Sequence, residues 1–208
     1  MTDGPGTEGG TGEPRVVDVP TRMGMHELAV VVGRYAWVEQ RLFEILGSWV
    51  PQVRSPAIKL VLSAHADHHA WHARLWQERL PVLPGRRPEE LVAPPSPGVA
   101  AALSDLGSPW AGPEEAPARL VGAYRVFAPR LVTRYSLHLK STSRVSDGPV
   151  ARGLQLALAD EERAWREGET LVQSLLTAGP MVQAATARQG ELEARLVQAG
   201  GLLGSSAG

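Results

Sequence analysis

Apolar residues recur along this chain at helical spacing, in four long stretches and a shorter one, and no segment alternates at the period of two that marks a strand. From Met23 to about Trp49 the set Leu28, Val32, Tyr35, Leu42, Leu46 and Trp49 predicts a first helix, ended by Pro51. Ser55-Pro56 opens a second, with serine placed as N-cap and proline at the first helical position, and Pro81 closes it. The short link makes this pair antiparallel. Prolines from Pro81 to Pro113 then interrupt every helix except a turn or so near residues 98 to 106. A connection this long can run the length of a bundle, so the third helix need not oppose the second. That third helix, about Glu114 to Ser143, carries Leu120, Tyr124, Phe127, Leu131, Tyr135 and His138 on one stripe, and Pro129 should kink it. The fourth, about Pro149 to Ala178, carries Leu154, Leu158, Glu161, Trp165, Val172 and Leu176, and Gly179-Pro180 stops it. Residues 181 to about 199 predict a shorter helix before a Gly and Ser tail.

The expected architecture is all-α: a tail over residues 1–20, too polar to order, a four-helix bundle over 21–180, and a short C-terminal helix with a flexible end over 181–208. A formal net charge of -1 gives no pull toward nucleic acid or an anionic membrane, so neither is expected as a partner. The N-terminal stretch lacks the basic and apolar regions of a secretion signal, and no window offers a membrane span, which predicts a cytoplasmic protein. The chain has no cysteine. A metal would therefore take nitrogen and oxygen ligands.

Four of the six histidines fall in one eight-residue stretch of the second helix, His65, His68, His69 and His72. Wound at about 100° per residue, His65, His69 and His72 share the direction of Ile58, Leu62 and Trp76, while Asp67, Arg74 and Glu78 point away. The same projection turns Glu39 inward with Leu28 and Leu46, His138 inward with Leu120, and Glu161 inward with Leu154 and Ala157. The three tyrosines also face in, which fits packing with a satisfied hydroxyl. A buried unpaired carboxylate costs several kcal/mol, so two of them facing several imidazoles imply either a bound ion or a hydrogen-bonded network. Taken singly, each inward glutamate also fits a structural ion pair with Arg34, Arg130 or Arg134, and His138 fits a hydrogen-bonded core residue.

Four long helices, a long crossover between the second and third, and these inward groups resemble the ferritin-like superfamily over about residues 23 to 178. In its di-iron members one glutamate projects from helices one and three, and Glu-x-x-His from helices two and four. Glu39 matches the helix-one glutamate and His72 the helix-two histidine, with His69 standing where that motif has glutamate. His138 occupies the helix-three place. Glu161 matches on helix four, but Ala164 replaces its histidine. The resemblance implies a divalent metal, iron foremost with manganese or zinc as alternatives, with Glu39, His65, His69, His72, His138 and Glu161 as candidate ligands. Two carboxylates neutralise one divalent ion where four neutralise two, so a mononuclear site suits this interior better than a full dinuclear one. The implied function is a non-haem metal oxidoreductase, and paired bundles in the superfamily imply a homodimer. Two other readings stand beside it: a metal-free ferritin-like interaction protein with a His/Glu network, and a DinB-type metal-dependent thiol transferase using the helix-two histidines.

Overall fold

Helix boundaries fall where local chemistry permits them. In the computed structural model, which describes residues 23–143 and 147–204, α1 (Met25–Trp49) begins with Glu27 accepting the Gly24 N–H at 2.8 Å. α2 (Pro56–Gln77) starts at the expected proline; the Ser55 carbonyl accepts the Lys59 N–H at 3.0 Å, while the Ser55 hydroxyl makes no capping bond. It ends before Pro81 is reached. The connection that follows holds more helix than its prolines suggest. α3 (Pro97–Leu106) is a full ten-residue helix whose Ser96 hydroxyl accepts the Val99 N–H at 3.2 Å, with Val99, Ala102, Leu103 and Leu106 buried. Its proline occupies the first turn, where a missing N–H does no harm.

The third long stretch is composite. α4 (Ala116–Val121) runs into a π-helical turn, Gly122–Phe127, and then α5 (Ala128–Ser141). The Ala128 N–H reaches back five residues to the Ala123 carbonyl. The irregularity expected at Pro129 thus takes the form of a wider turn just ahead of it. α6 (Gly148–Leu175) follows, and Gly179-Pro180, expected as a stop, forms the first turn of α7 (Gly179–Gln198). No strand occurs among the described residues, and no helix there is long and apolar enough to cross a membrane. The tail expected over residues 1–20 lies outside the described residues.

α1 packs most extensively on α2, and α5 on α6, with α2 also touching α6. Side-chain pairs fix the directions. Glu39 meets Tyr135 and Tyr35 meets His138, so α1 and α5 are antiparallel; His65 meets Tyr124 and Trp76 meets Tyr135, so α2 and the α4–α5 stretch run the same way. Residues 78–115 make that crossover. α7 lies on α3 and α4. Trp49, Trp76, Tyr35, Tyr135 and Phe127 are the largest fully buried side chains, each contributing about 2–3 kcal/mol by burial.

One expected core residue is not there. Trp165 is 36% exposed, and beyond Val150 and the expected Leu154 the inner face of α6 is Gly153, Ala157, Glu161, Ala164, Gly168 and Val172. Small residues are needed on this face because rings from other helices press on it. A Cβ on Gly168 would sit 2.0 Å from Tyr124 Cδ1, and one on Gly153 3.1 Å from Trp76 Cζ3.

Candidate metal centre

α1, α2 and α6 bring four buried polar side chains to one level of the interior. Glu39 comes from α1, His69 and His72 from successive turns of α2, and Glu161 from α6; one donor atom from each lies within 4.8 Å of all the others. The i, i+3 spacing places both imidazoles on one helix face. His69 Nδ1–H donates to Glu39 Oε2 at 2.5 Å, and the same nitrogen is 3.3 Å from Glu161 Oε1. His72 Nδ1 lies 3.3 Å from Glu161 Oε1 and 3.5 Å from Glu39 Oε1.

α5 supplies no member of this group but holds one in place. The Tyr135 hydroxyl donates to Glu39 Oε1 and itself accepts the Trp76 indole N–H at 3.0 Å. Outside the group, Asp160 Oδ2 stands 3.5 Å from His72 Nε2 with its side chain a quarter exposed. That carboxylate is placed to orient the ring through its far nitrogen.

Charge governs the site. Burial alone would raise the Glu39 carboxyl, yet the His69 and His72 imidazoles against it win and hold it at about 2. Burial likewise pushes both imidazoles down, and the carboxylates override it: His72 is raised to about 10 by Glu39 and Glu161, and His69 is raised by the same pair. Burial, reinforced by the two carboxylates, drives the Tyr135 phenol well above its ordinary value, so it serves Glu39 only as a donor. Two buried carboxylates therefore need two positive charges close by. Either two imidazolium ions supply them, or one divalent ion does with both imidazoles neutral.

The donor chemistry fits an ion. Two imidazole nitrogens and two carboxylate oxygens form a set that iron, manganese and zinc accept. The ring nitrogens of His72, a fully buried residue, face carboxylates at 3.3–3.5 Å without meeting hydrogen-bond geometry among the described residues. Such loosely paired donors on a buried ring leave room for a ligand bond.

Of the six residues singled out in the sequence, Glu39, His69, His72 and Glu161 form this group, and two stand apart. His65 lies one turn earlier on α2, where Nδ1 is 2.7 Å from the Tyr124 hydroxyl and Nε2 is 3.1 Å from Glu167 Oε2. Burial, against the Glu167 hydrogen bond, lowers its pKa. His138 lies beyond the opposite side of the group, with Nδ1 3.2 Å from the Tyr35 hydroxyl. Burial pushes it down to about 4, with Asp147 opposing and Arg134 adding. Sequence reasoning placed Tyr135 inward without a partner, and it passed over Asp160 and Glu167. Asp160 adjoins an inward glutamate, a signal that its backbone lies near the site; Glu167 carries no such mark. Compared with known protein families, curated proteins and solved structures, the chain matches none.

Proposed function

We propose that this chain is a ferritin-like metalloprotein that binds one divalent ion through Glu39, His69, His72 and Glu161. The observation that carries the reading is the convergence of two buried carboxylates and two imidazoles, with one donor atom of each within 4.8 Å of the others. Two further features support it. The second and third long helical stretches run in the same direction across a long connection, as ferritin-like bundles do. Ala164, where the superfamily's second motif histidine would stand, leaves a ligand set whose charge matches one ion.

Iron is the ion proposed first, because a histidine and carboxylate set with open positions suits non-haem oxidoreductase chemistry. When bound, iron would supply one-electron chemistry and a place for oxygen to coordinate. The protein's own residues do the rest. Tyr135 fixes one oxygen of Glu39 while His69 holds the other, and the i, i+3 pair places both imidazoles on one helix face. His69 and His72 would have to lose their protons for an ion to bind, and the partly exposed Asp160 stands 3.5 Å from His72 Nε2 as a candidate acceptor for the His72 proton.

A second reading rests on the chain of bonds from Trp76 through Tyr135 and Glu39 to His69, which is a complete structural network by itself. In that reading the protein carries no metal and acts by binding a partner. The thiol-transferase reading needs His65 beside His69 and His72, and both of its nitrogens already face other groups. Elemental analysis of untagged protein separates the first two. The metal reading expects close to one iron, manganese or zinc per chain, lost in His72→Ala with the fold retained by circular dichroism. No metal in either protein, with His72→Ala melting lower, would leave the network reading.

A further inference from the structure

Each of the three tyrosines hydrogen-bonds a buried side chain, but only one of those bonds continues to the surface. The Tyr124 hydroxyl lies 2.7 Å from His65 Nδ1, and His65 Nε2 lies 3.1 Å from Glu167 Oε2. Tyr124 and His65 are buried, whereas the Glu167 side chain is 53% exposed. A carboxylate only accepts, so the neutral ring donates Nε2–H to Glu167 and leaves Nδ1 to accept the phenol O–H. Every donor in the chain thus points outward, from Tyr124 toward solvent. The other two phenols lack such an outlet. Tyr35 meets His138 Nδ1 at 3.2 Å, but His138 Nε2 has no hydrogen-bond partner among the described residues. Tyr135 donates to Glu39, which is fully buried and already accepts from His69, so a proton passed there stays in the interior. Packing fixes the Tyr124 ring as well: it stands edge-on to His65 at 5.5 Å between centroids and fills the space over Gly168.

We propose that Tyr124 is a redox-active tyrosine, oxidised by one electron to a neutral phenoxyl radical while its proton leaves through His65 and Glu167. The oxidant is a strong one-electron acceptor, such as an oxidised transition-metal complex, and the step balances. The acceptor takes one electron from the phenol and is reduced by one. The O–H bond breaks and its proton forms an N–H bond at His65 Nδ1; the Nε2–H bond breaks and that proton passes to the Glu167 carboxylate and on to water. His65 ends neutral, as its other tautomer. Burial dictates that electron and proton leave together. It raises the Tyr124 phenol far above its ordinary value, with Glu161 and Glu167 adding, so no phenolate forms beforehand. A phenol cation radical would be an unpaired charge in the same apolar surroundings, which burial disfavours equally. The relay stands without the metal reading, since any acceptor of that class can draw on it.

The test is flash oxidation of the full chain, as purified and chelator-treated, by photogenerated ruthenium(III) tris-bipyridine, followed by transient absorption and electron paramagnetic resonance. The chain has three tyrosines and six tryptophans, whose radicals differ in spectrum. The expected result is a tyrosyl signal in both samples, lost in Tyr124→Phe and kept in Tyr35→Phe and Tyr135→Phe. Glu167→Gln changes an exposed side chain that can still accept the His65 N–H but cannot take its proton. Tyrosyl formation should slow roughly tenfold or more in that variant, with unchanged circular dichroism. Tryptophan radicals alone overturn the proposal. So does a tyrosyl signal that survives Tyr124→Phe, or a rate indifferent to Glu167→Gln, which would leave the chain of bonds a structural one. Because the chelator-treated protein is oxidised too, failure here is distinct from failure to bind metal.

Discussion

Single side chains carry most of the chemistry. Tyr135 touches no proposed ion, yet among the described residues it makes one of the two hydrogen bonds to Glu39 and accepts the Trp76 indole N–H. Tyr135→Phe leaves a buried carboxylate oxygen and a buried indole N–H unpaired, which costs about 1–3 kcal/mol. Denaturant melts should show that loss, while competition titration should find metal still bound at one per chain with roughly tenfold lower affinity. His138 makes a different prediction. Its folded pKa, about 4, lies below the ordinary imidazole value of 6.5, so the unfolded chain takes up a proton first as pH falls. Stability is therefore lost between about pH 6.5 and 4, by on the order of 3 kcal/mol in full. His138→Gln should flatten that part of a plot of unfolding free energy against pH. Both residues were legible in the sequence as inward-facing. Their partners were not, because angular projection assigns a face to each residue and says nothing of its height along the bundle. His65 and His138 share faces with the metal group and miss it by one turn on either side.

Elements show the same division between what pattern reveals and what packing decides. The stripes on α1 and α2 are read correctly from their large apolar residues, which are buried where projected. α6 is misread at Trp165 because hydropathy favours a large ring, whereas the neighbours demand small residues. The inner face of α6 is a row of gaps filled from elsewhere, and no property of α6 alone announces it. Gly168 is the sharpest case, since Tyr124 occupies the space of its missing side chain. Gly168→Ala must displace a buried ring bonded to His65, at about 1–3 kcal/mol for overpacking. Thermal melts should register that cost against the opposing gain in helix propensity, and the His65 imidazole resonance should move. The π turn beside it is another element that sequence marked only by Pro129, since proline forbids a regular helix without dictating which irregularity replaces it.

For the whole molecule, the proposed ion would compete with protons for one pair of imidazoles, which would link stability, pH and metal. In the metal-free protein His72 is raised to about 10, so its attraction to the carboxylates is fully present below its unfolded value near 6.5 and is lost as pH climbs through 10. A bound ion needs those protons gone and gains affinity over the same range. The difference in unfolding free energy between metal-loaded and chelator-treated protein should therefore widen from pH 6 to pH 9, starting from about 2.7 kcal/mol at a hundredfold excess over Kd. His72→Ala should show no difference at any pH. The helical class is legible in the sequence; the crossover direction is not, since proline-rich connections of this length permit either sense. The centre also draws on groups far apart in the chain: 30 residues separate Glu39 from His69, and 96 separate it from Tyr135. During synthesis the nascent chain holds both imidazoles and a single carboxylate until α6 emerges from the ribosome. Such a half-built cradle has only one negative charge to offer a divalent ion. On the proposed reading, the four-residue ligand set is thus incomplete until α6 has been made and docked on α2.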